Sequence, residues 1–192
     1  ASAVYWGAPQ TPKQRTKLFA KDIQVNKLQR KIRKQIVTHL IGSQHRAVAY
    51  ALLVMSLVKD VERLGDYARN LVELVDMRPD DLPEDEQLRE LTEIRESVET
   101  LVREVADVFL NSDEDRAAEL TFEGRATCKR CDELIWTVGE ANYPGATAIF
   151  LALGSRFYKR IGGHALNLLS GVIMPLHKID YFDERVIDET ER

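Results

Sequence analysis

Glu62, Asp66 and Asn70 place a side-chain oxygen at every fourth residue of one segment. On an α-helix each step of four turns about 40° beyond a full turn, so the three oxygens form a polar stripe about 12 Å long. Carboxylates four residues apart repel on an isolated helix, which calls for a compensating cation. A hard or borderline metal ion suits such oxygen ligands. The plainer alternative is an acidic face paired with Lys59, Arg63 or Arg69. Gly65 lies between the two carboxylates, and a glycine inside a helix costs roughly 1 kcal/mol against alanine. Its usual return is a close approach by a neighbouring helix. Asp22 and Asn26, four apart on the preceding helix, are the candidates to arrive there. The expected metal set is therefore Glu62, Asp66, Asn70, Asp22 and Asn26.

The same segment occurs twice. Residues 62–70 read Glu-Arg-Leu-Gly-Asp-Tyr-Ala-Arg-Asn, and residues 159–167 read Lys-Arg-Ile-Gly-Gly-His-Ala-Leu-Asn. At a constant offset of 97, Arg63/Arg160, Gly65/Gly162, Ala68/Ala165 and Asn70/Asn167 are identical. An internal repeat of this kind points to two halves of like architecture. The copies differ where ligands would stand: Lys159 and Gly163 replace Glu62 and Asp66. A protonated lysine offers donors and no lone pair, so metal binding is expected mainly in the first copy.

The elements that must carry these residues all show the 3.6-residue period of helices. A first long helix spans about 11–40, with Leu18, Val25, Leu28, Ile32, Ile36 and Leu40 as its apolar stripe. After a break at Ile41-Gly42-Ser43, a second runs over roughly 44–77, with Ala47, Ala51, Val54, Leu57, Val61, Leu64, Ala68 and Leu71 inward. Pro79 and Pro83 mark a linker. A third helix spans about 86–110, with Leu88, Leu91, Ile94, Val98, Leu101, Val105 and Val108 inward, and a capping box at Ser112 and Asp115 opens a fourth over about 113–138. Pro144 begins a fifth, which Pro175 ends. No alternating β-branched segment predicts a strand. Domain boundaries follow: a first helical repeat over 1–77, a linker over 78–85, a second repeat over 86–180 and an acidic tail over 181–192. The fold expected is all-α, two pseudo-repeated three-helix bundles, the first lacking most of one helix.

Composition bounds the function. The 192 residues are 44% hydrophobic and 30% charged, with net charge −4, the balance of a soluble globular protein. Residues 1–77 hold 13 Lys and Arg against 6 Asp and Glu, whereas residues 78–192 hold 14 against 25. The excess of cations lies between Lys13 and Lys34, where Asp22 is the only acid. Such a helix suits an anionic partner or membrane surface, and nucleic acid is not expected without a helix-turn-helix or interleaved aromatics. There is neither a membrane-spanning run nor a signal-peptide pattern, and two cysteines make no disulfide framework, so a reducing cytoplasm is expected. Cys128 and Cys131 read as core residues, since zinc needs about four ligands. None of the four histidines lies three residues after a glutamate, against a ferritin-like di-iron oxidase. No nucleophile elbow or phosphate-cradling glycine loop is present. The rival enzymatic reading is a metal-dependent hydrolase or oxidase using Glu62 and Asp66.

The stretch Val58-Lys59-Asp60-Val61-Glu62-Arg63-Leu64-Gly65-Asp66-Tyr67-Ala68-Arg69-Asn70 resembles the characteristic helix of the PhoU family. Asp22-Ile23-Gln24-Val25-Asn26-Lys27-Leu28 resembles the helix before it, and the likeness continues through Ser112–Leu134 and 159–167. The resemblance implies paired three-helix bundles that bind multinuclear iron or zinc in some members, with no organic cofactor. It implies a non-enzymatic adaptor exerting negative control on phosphate uptake and phosphate-responsive transcription. Partners would be the ATPase of a phosphate ABC transporter and a membrane histidine kinase, reached at the inner face of the membrane by a cytoplasmic homodimer or other homo-oligomer. The alternative is a similar regulatory or docking domain of a sodium–phosphate cotransporter or larger chain, with metal binding reduced or lost. Ala1–Trp6 looks like only the end of the family's first helix, so a fragment or a partner-supplied helix is expected.

Overall fold

The computed structural model describes residues 1–7, 11–42 and 48–179. A short helix α1, Ser2–Tyr5, precedes five long ones: α2 Pro12–Gly42, α3 Val48–Glu73, α4 Glu86–Asn111, α5 Glu114–Glu140 and α6 Gly145–Ile173. Two 3-10 turns, Leu74–Met77 and Leu176–Lys178, end α3 and follow α6. No strand occurs among the described residues, and the architecture is all-α. His45 and Ala47 at the α2–α3 break, and the tail from Asp180, lie outside the described residues.

Local chemistry sets the helix ends. Asp85 caps α4 by accepting from the Leu88 N–H at 3.0 Å. Asp113 caps α5 by accepting from the Arg116 N–H at 3.0 Å. The expected cap, Ser112, instead terminates α4 in the left-handed region, φ 51°. A serine followed by an aspartate offers two capping oxygens, and the turn after Asn111 gives the work to the second.

The stripe of α4 is buried as the period predicts: Leu91, Ile94, Val98, Leu101, Val105 and Val108. Facing it, α6 buries thirteen residues, among them Phe150, Leu151, Tyr158, Leu166 and Leu169. Helix α6 is the hub, packing on α3, α4 and α5. Its tightest crossing is at Gly154, where an added Cβ would lie 2.0 Å from the Tyr5 hydroxyl. Tyr5 is fully buried, stacked on Phe150 with ring centroids 4.4 Å apart, and its hydroxyl donates to the Phe150 carbonyl at 3.0 Å. Tyr5 is thus a plug in the core shared by α3, α4, α5 and α6.

Helix α2 departs from expectation. Its apolar stripe is only half-covered, Leu28 stands 56% exposed, and its one buried residue is Asp22. The physical reason is that α2 packs chiefly on α3, and one helix shades one side of a stripe. Val61 on α3, expected inward, is likewise exposed. At the other end, Arg15 binds Asp76 through two hydrogen bonds of 2.7 Å, fixing α2 beside the turn after α3.

Candidate metal centre

Asp22 decides the geometry. Its carboxylate projects from α2 onto the backbone of α3 at Gly65, where an added Cβ would stand 3.3 Å from Oδ1. The side chain is buried, and Oδ1 has no hydrogen-bond partner. Oδ2 has Arg69 at 3.8 Å, an ion pair without close contact. Gly65 thus gives α3 the close approach its place in the sequence predicts, and Asp22 arrives there between the turns that carry Glu62 and Asp66. Glu62 and Asp66 are both half-buried. Arg63 currently serves them, at 3.8 Å from Glu62 and 3.0 Å from Asp66. Asn26 and Asn70 are also half-buried, each one turn further along its helix. A second step of four turns Asn70 about 80° from the direction of Glu62.

The arrangement has the chemistry of a cation site. A buried carboxylate oxygen without a partner costs on the order of 1–3 kcal/mol, more when charged. A metal ion would relieve that cost, and the donors Asp22, Glu62 and Asp66 are the hard oxygens it prefers. Among the described residues, however, no three His, Cys, Asp or Glu side chains already converge as a metal shell.

The PhoU domain model matches residues 10–75, which contain α2 and α3. Over α2 and α3 the chain resembles a PhoU domain. In fold it is similar to the crystal structure of the phosphate transport system regulatory protein PhoU from Streptococcus pneumoniae, with a TM-score of 0.72. The match covers 83% of this chain and 77% of that one at 14% identity, so it is a likeness of fold. No curated protein matches the sequence.

The PhoU-like pairing of helices recurs in the second half, in a register the sequence also holds. Asp22-x-x-Val25-Asn26-x-Leu28 aligns at an offset of 106 with Cys128-x-x-Cys131-Asp132-x-Leu134. Cys128 takes the place of Asp22, its Sγ 3.4 Å from a Cβ built on Gly162, the counterpart of Gly65. Lys159, the counterpart of Glu62, bonds Asp132, the counterpart of Asn26. An ammonium therefore sits where the first half gathers carboxylates. Cys131 is buried, and desolvation pushes its thiol up to about 12.

A second constellation escaped the sequence reading. Asp60 on α3 is fully buried and ties the halves together, its Oδ1 2.8 Å from His164 Nδ1 and accepting from Asn167 Nδ2 at 2.8 Å. Tyr67 stacks on His164, centroids 5.7 Å apart, and meets Phe157 at 6.2 Å. Tyr67 and His164 are counterparts at the offset of 97, as are Asp60 and Phe157. A pseudo-twofold axis thus passes beside Tyr67 and His164, with a polar pair, Asp60–His164, on one side and an apolar pair, Phe157–Tyr67, on the other. The signal available was Asn167 itself, retained in the second copy where the acids were not.

Proposed function

We propose that this protein regulates phosphate uptake and phosphate-responsive signalling as a metal-binding, non-catalytic adaptor. The observation that carries the reading is the match of residues 10–75 to the PhoU domain, together with the unpartnered Asp22 carboxylate held over Gly65. In this reading Asp22, Glu62 and Asp66 hold an iron or zinc ion, with Asn26 or Asn70 as neutral donors. Arg63 is 55% exposed and withdraws to solvent at small cost, because exposed ion pairs are worth about 0–1 kcal/mol. The bound ion would lock α2 to α3 and present a surface to a transporter ATPase and a membrane histidine kinase. The fold likeness to the PhoU of Streptococcus pneumoniae supports the regulatory class.

A second reading rests on Arg63, which neutralises Glu62 and Asp66 from within the chain. It makes the protein a regulatory or docking domain of a phosphate cotransporter or larger chain, with metal binding reduced or lost. Elemental analysis separates the two. Wild type should carry iron or zinc, and Glu62→Ala with Asp66→Ala should lose most of it while keeping its helical circular dichroism. Equal metal in both proteins sinks the metal adaptor. A phosphate-responsive reporter in cells lacking and expressing the protein tests the regulatory role, and an unchanged phosphate response would refute it.

A further inference from the structure

Helix α2 contains a single acid, Asp22, and that residue is turned inward and buried. On the opposite side Lys13, Lys17, Lys27, Lys31 and Lys34 are exposed. At about 100° per residue their spacing puts all five within one face roughly 100° wide and, at about 1.5 Å per residue, roughly 31 Å long. None of the five enters an ion pair among the described residues; of the cations on α2 only Arg15 does. Ile23 and Ile41 flank the row on one side and Leu28 on the other, 54%, 83% and 56% exposed. A straight row of exposed cations on one helix face is the footprint of an electrostatic contact with anionic headgroups, in which the helix lies on the surface without inserting. No helix of the described residues is long and apolar enough to cross a membrane, so contact would be at the surface.

We propose that the outer face of α2 binds an anionic lipid bilayer directly. This goes beyond the adaptor reading, in which partners alone bring the protein to the membrane. Charge distribution orients it, since residues 78–192 carry 25 acids against 14 cations and would face away from the lipid. Nucleic acid is a poorer match, because the row carries no aromatic to stack on bases. A second copy is a poorer match as well. Half of the fourteen acids of α4 and α5 are engaged at home, Glu104 and Glu119 by Arg116, Glu90 and Glu93 by Arg130, Asp132 by Lys159, Glu96 by Arg95 and Glu133 by Lys129.

The test is co-sedimentation of the 192-residue chain with phosphatidylcholine vesicles, with and without phosphatidylglycerol, near physiological salt. Binding is expected only with phosphatidylglycerol and should weaken as salt rises. Each juxtamembrane lysine is worth about fivefold in affinity, so Lys27→Glu, Lys31→Glu and Lys34→Glu together should weaken binding at least a hundredfold. These side chains are exposed, and unchanged circular dichroism will report an intact fold. Lys129→Glu on α5 should bind like wild type. Equal binding to neutral vesicles, no binding to anionic ones, retention by the triple variant, or preferential capture of duplex DNA at the same salt would each overturn the proposal.

Discussion

Asp60 is the residue whose loss should most clearly reveal how the halves are held together. Replacing it with alanine removes two hydrogen bonds to a charged acceptor, each 2.8 Å. Such bonds contribute about 1.5–3 kcal/mol each. Two features reduce the figure. The His164 side chain keeps 20% exposure, so its ring can turn to water once the carboxylate is gone. Asp60 Oδ2 is buried without a partner, and its desolvation cost disappears with the side chain. The expected net loss is about 2–4 kcal/mol, read by urea unfolding followed by far-ultraviolet circular dichroism. Asp60→Asn keeps an acceptor but no charge and should lose about 1–2 kcal/mol. A double-mutant cycle isolates the contact: Asp60→Ala and His164→Ala should be less than additive, with coupling of at least about 1 kcal/mol. Additivity within error would show that the bond is geometric coincidence and that the halves are joined by apolar packing alone.

Three further outcomes follow from contacts already described. Gly154→Ala should cost about 1–3 kcal/mol, because its Cβ would strike the Tyr5 ring; in a Tyr5→Ala background the same change should be neutral or favourable, and persistence of the penalty in thermal melts would refute the plug. Burial raises the Cys131 thiol from 9.0 to about 12 and the Tyr158 phenol from 10.0 to about 12. Their neutral forms therefore add stability that is complete below pH 9 and is lost as pH rises toward 12; Cys131→Ala should flatten the decline between pH 9 and 11, and an unchanged slope would disprove the linkage. Lys159→Glu with Gly163→Asp should raise the metal content of the purified protein, since a Cβ at Gly163 meets nothing within 4 Å and Asp132 loses its cation; no gain would mean that the second half lacks the shape as well as the charge.

The helices were legible because their signals are local and periodic. The stripe of α4 was readable residue by residue, and the close approach at Gly65 followed from the cost of a helical glycine. The half-exposed stripe of α2 was not readable, because a period states which residues want cover and not how many neighbours provide it. The cap on α5 moved by one residue because Ser112 and Asp113 compete in a sequence and only the backbone turn chooses between them. At the site, Asp22 was reachable through Gly65, whereas Asp60 was hidden by its distance from His164, 104 residues along the chain. A lone aspartate beside a lysine reads as surface. Only the crossing of α3 and α6 turns it into the buried centre of a polar contact.

Because Tyr67 packs on its own counterpart, the seam between α3 and α6 is built like the contact of a twofold dimer, yet its two sides have diverged. That divergence gives the seam a polarity that disfavours pairing like with like. If two chains opened and paired α3 with α3, each buried Asp60 would meet Tyr67 in place of His164 and keep only an asparagine donor, Asn70 standing where Asn167 does now. Pairing α6 with α6 would set each Phe157 against a His164 with no carboxylate to receive its proton donor. Either like-with-like dimer would lose the Asp60–His164 contact in each chain, at about 1–3 kcal/mol apiece. The unequal seam thus selects the pairing of a first half with a second half over either pairing of like halves.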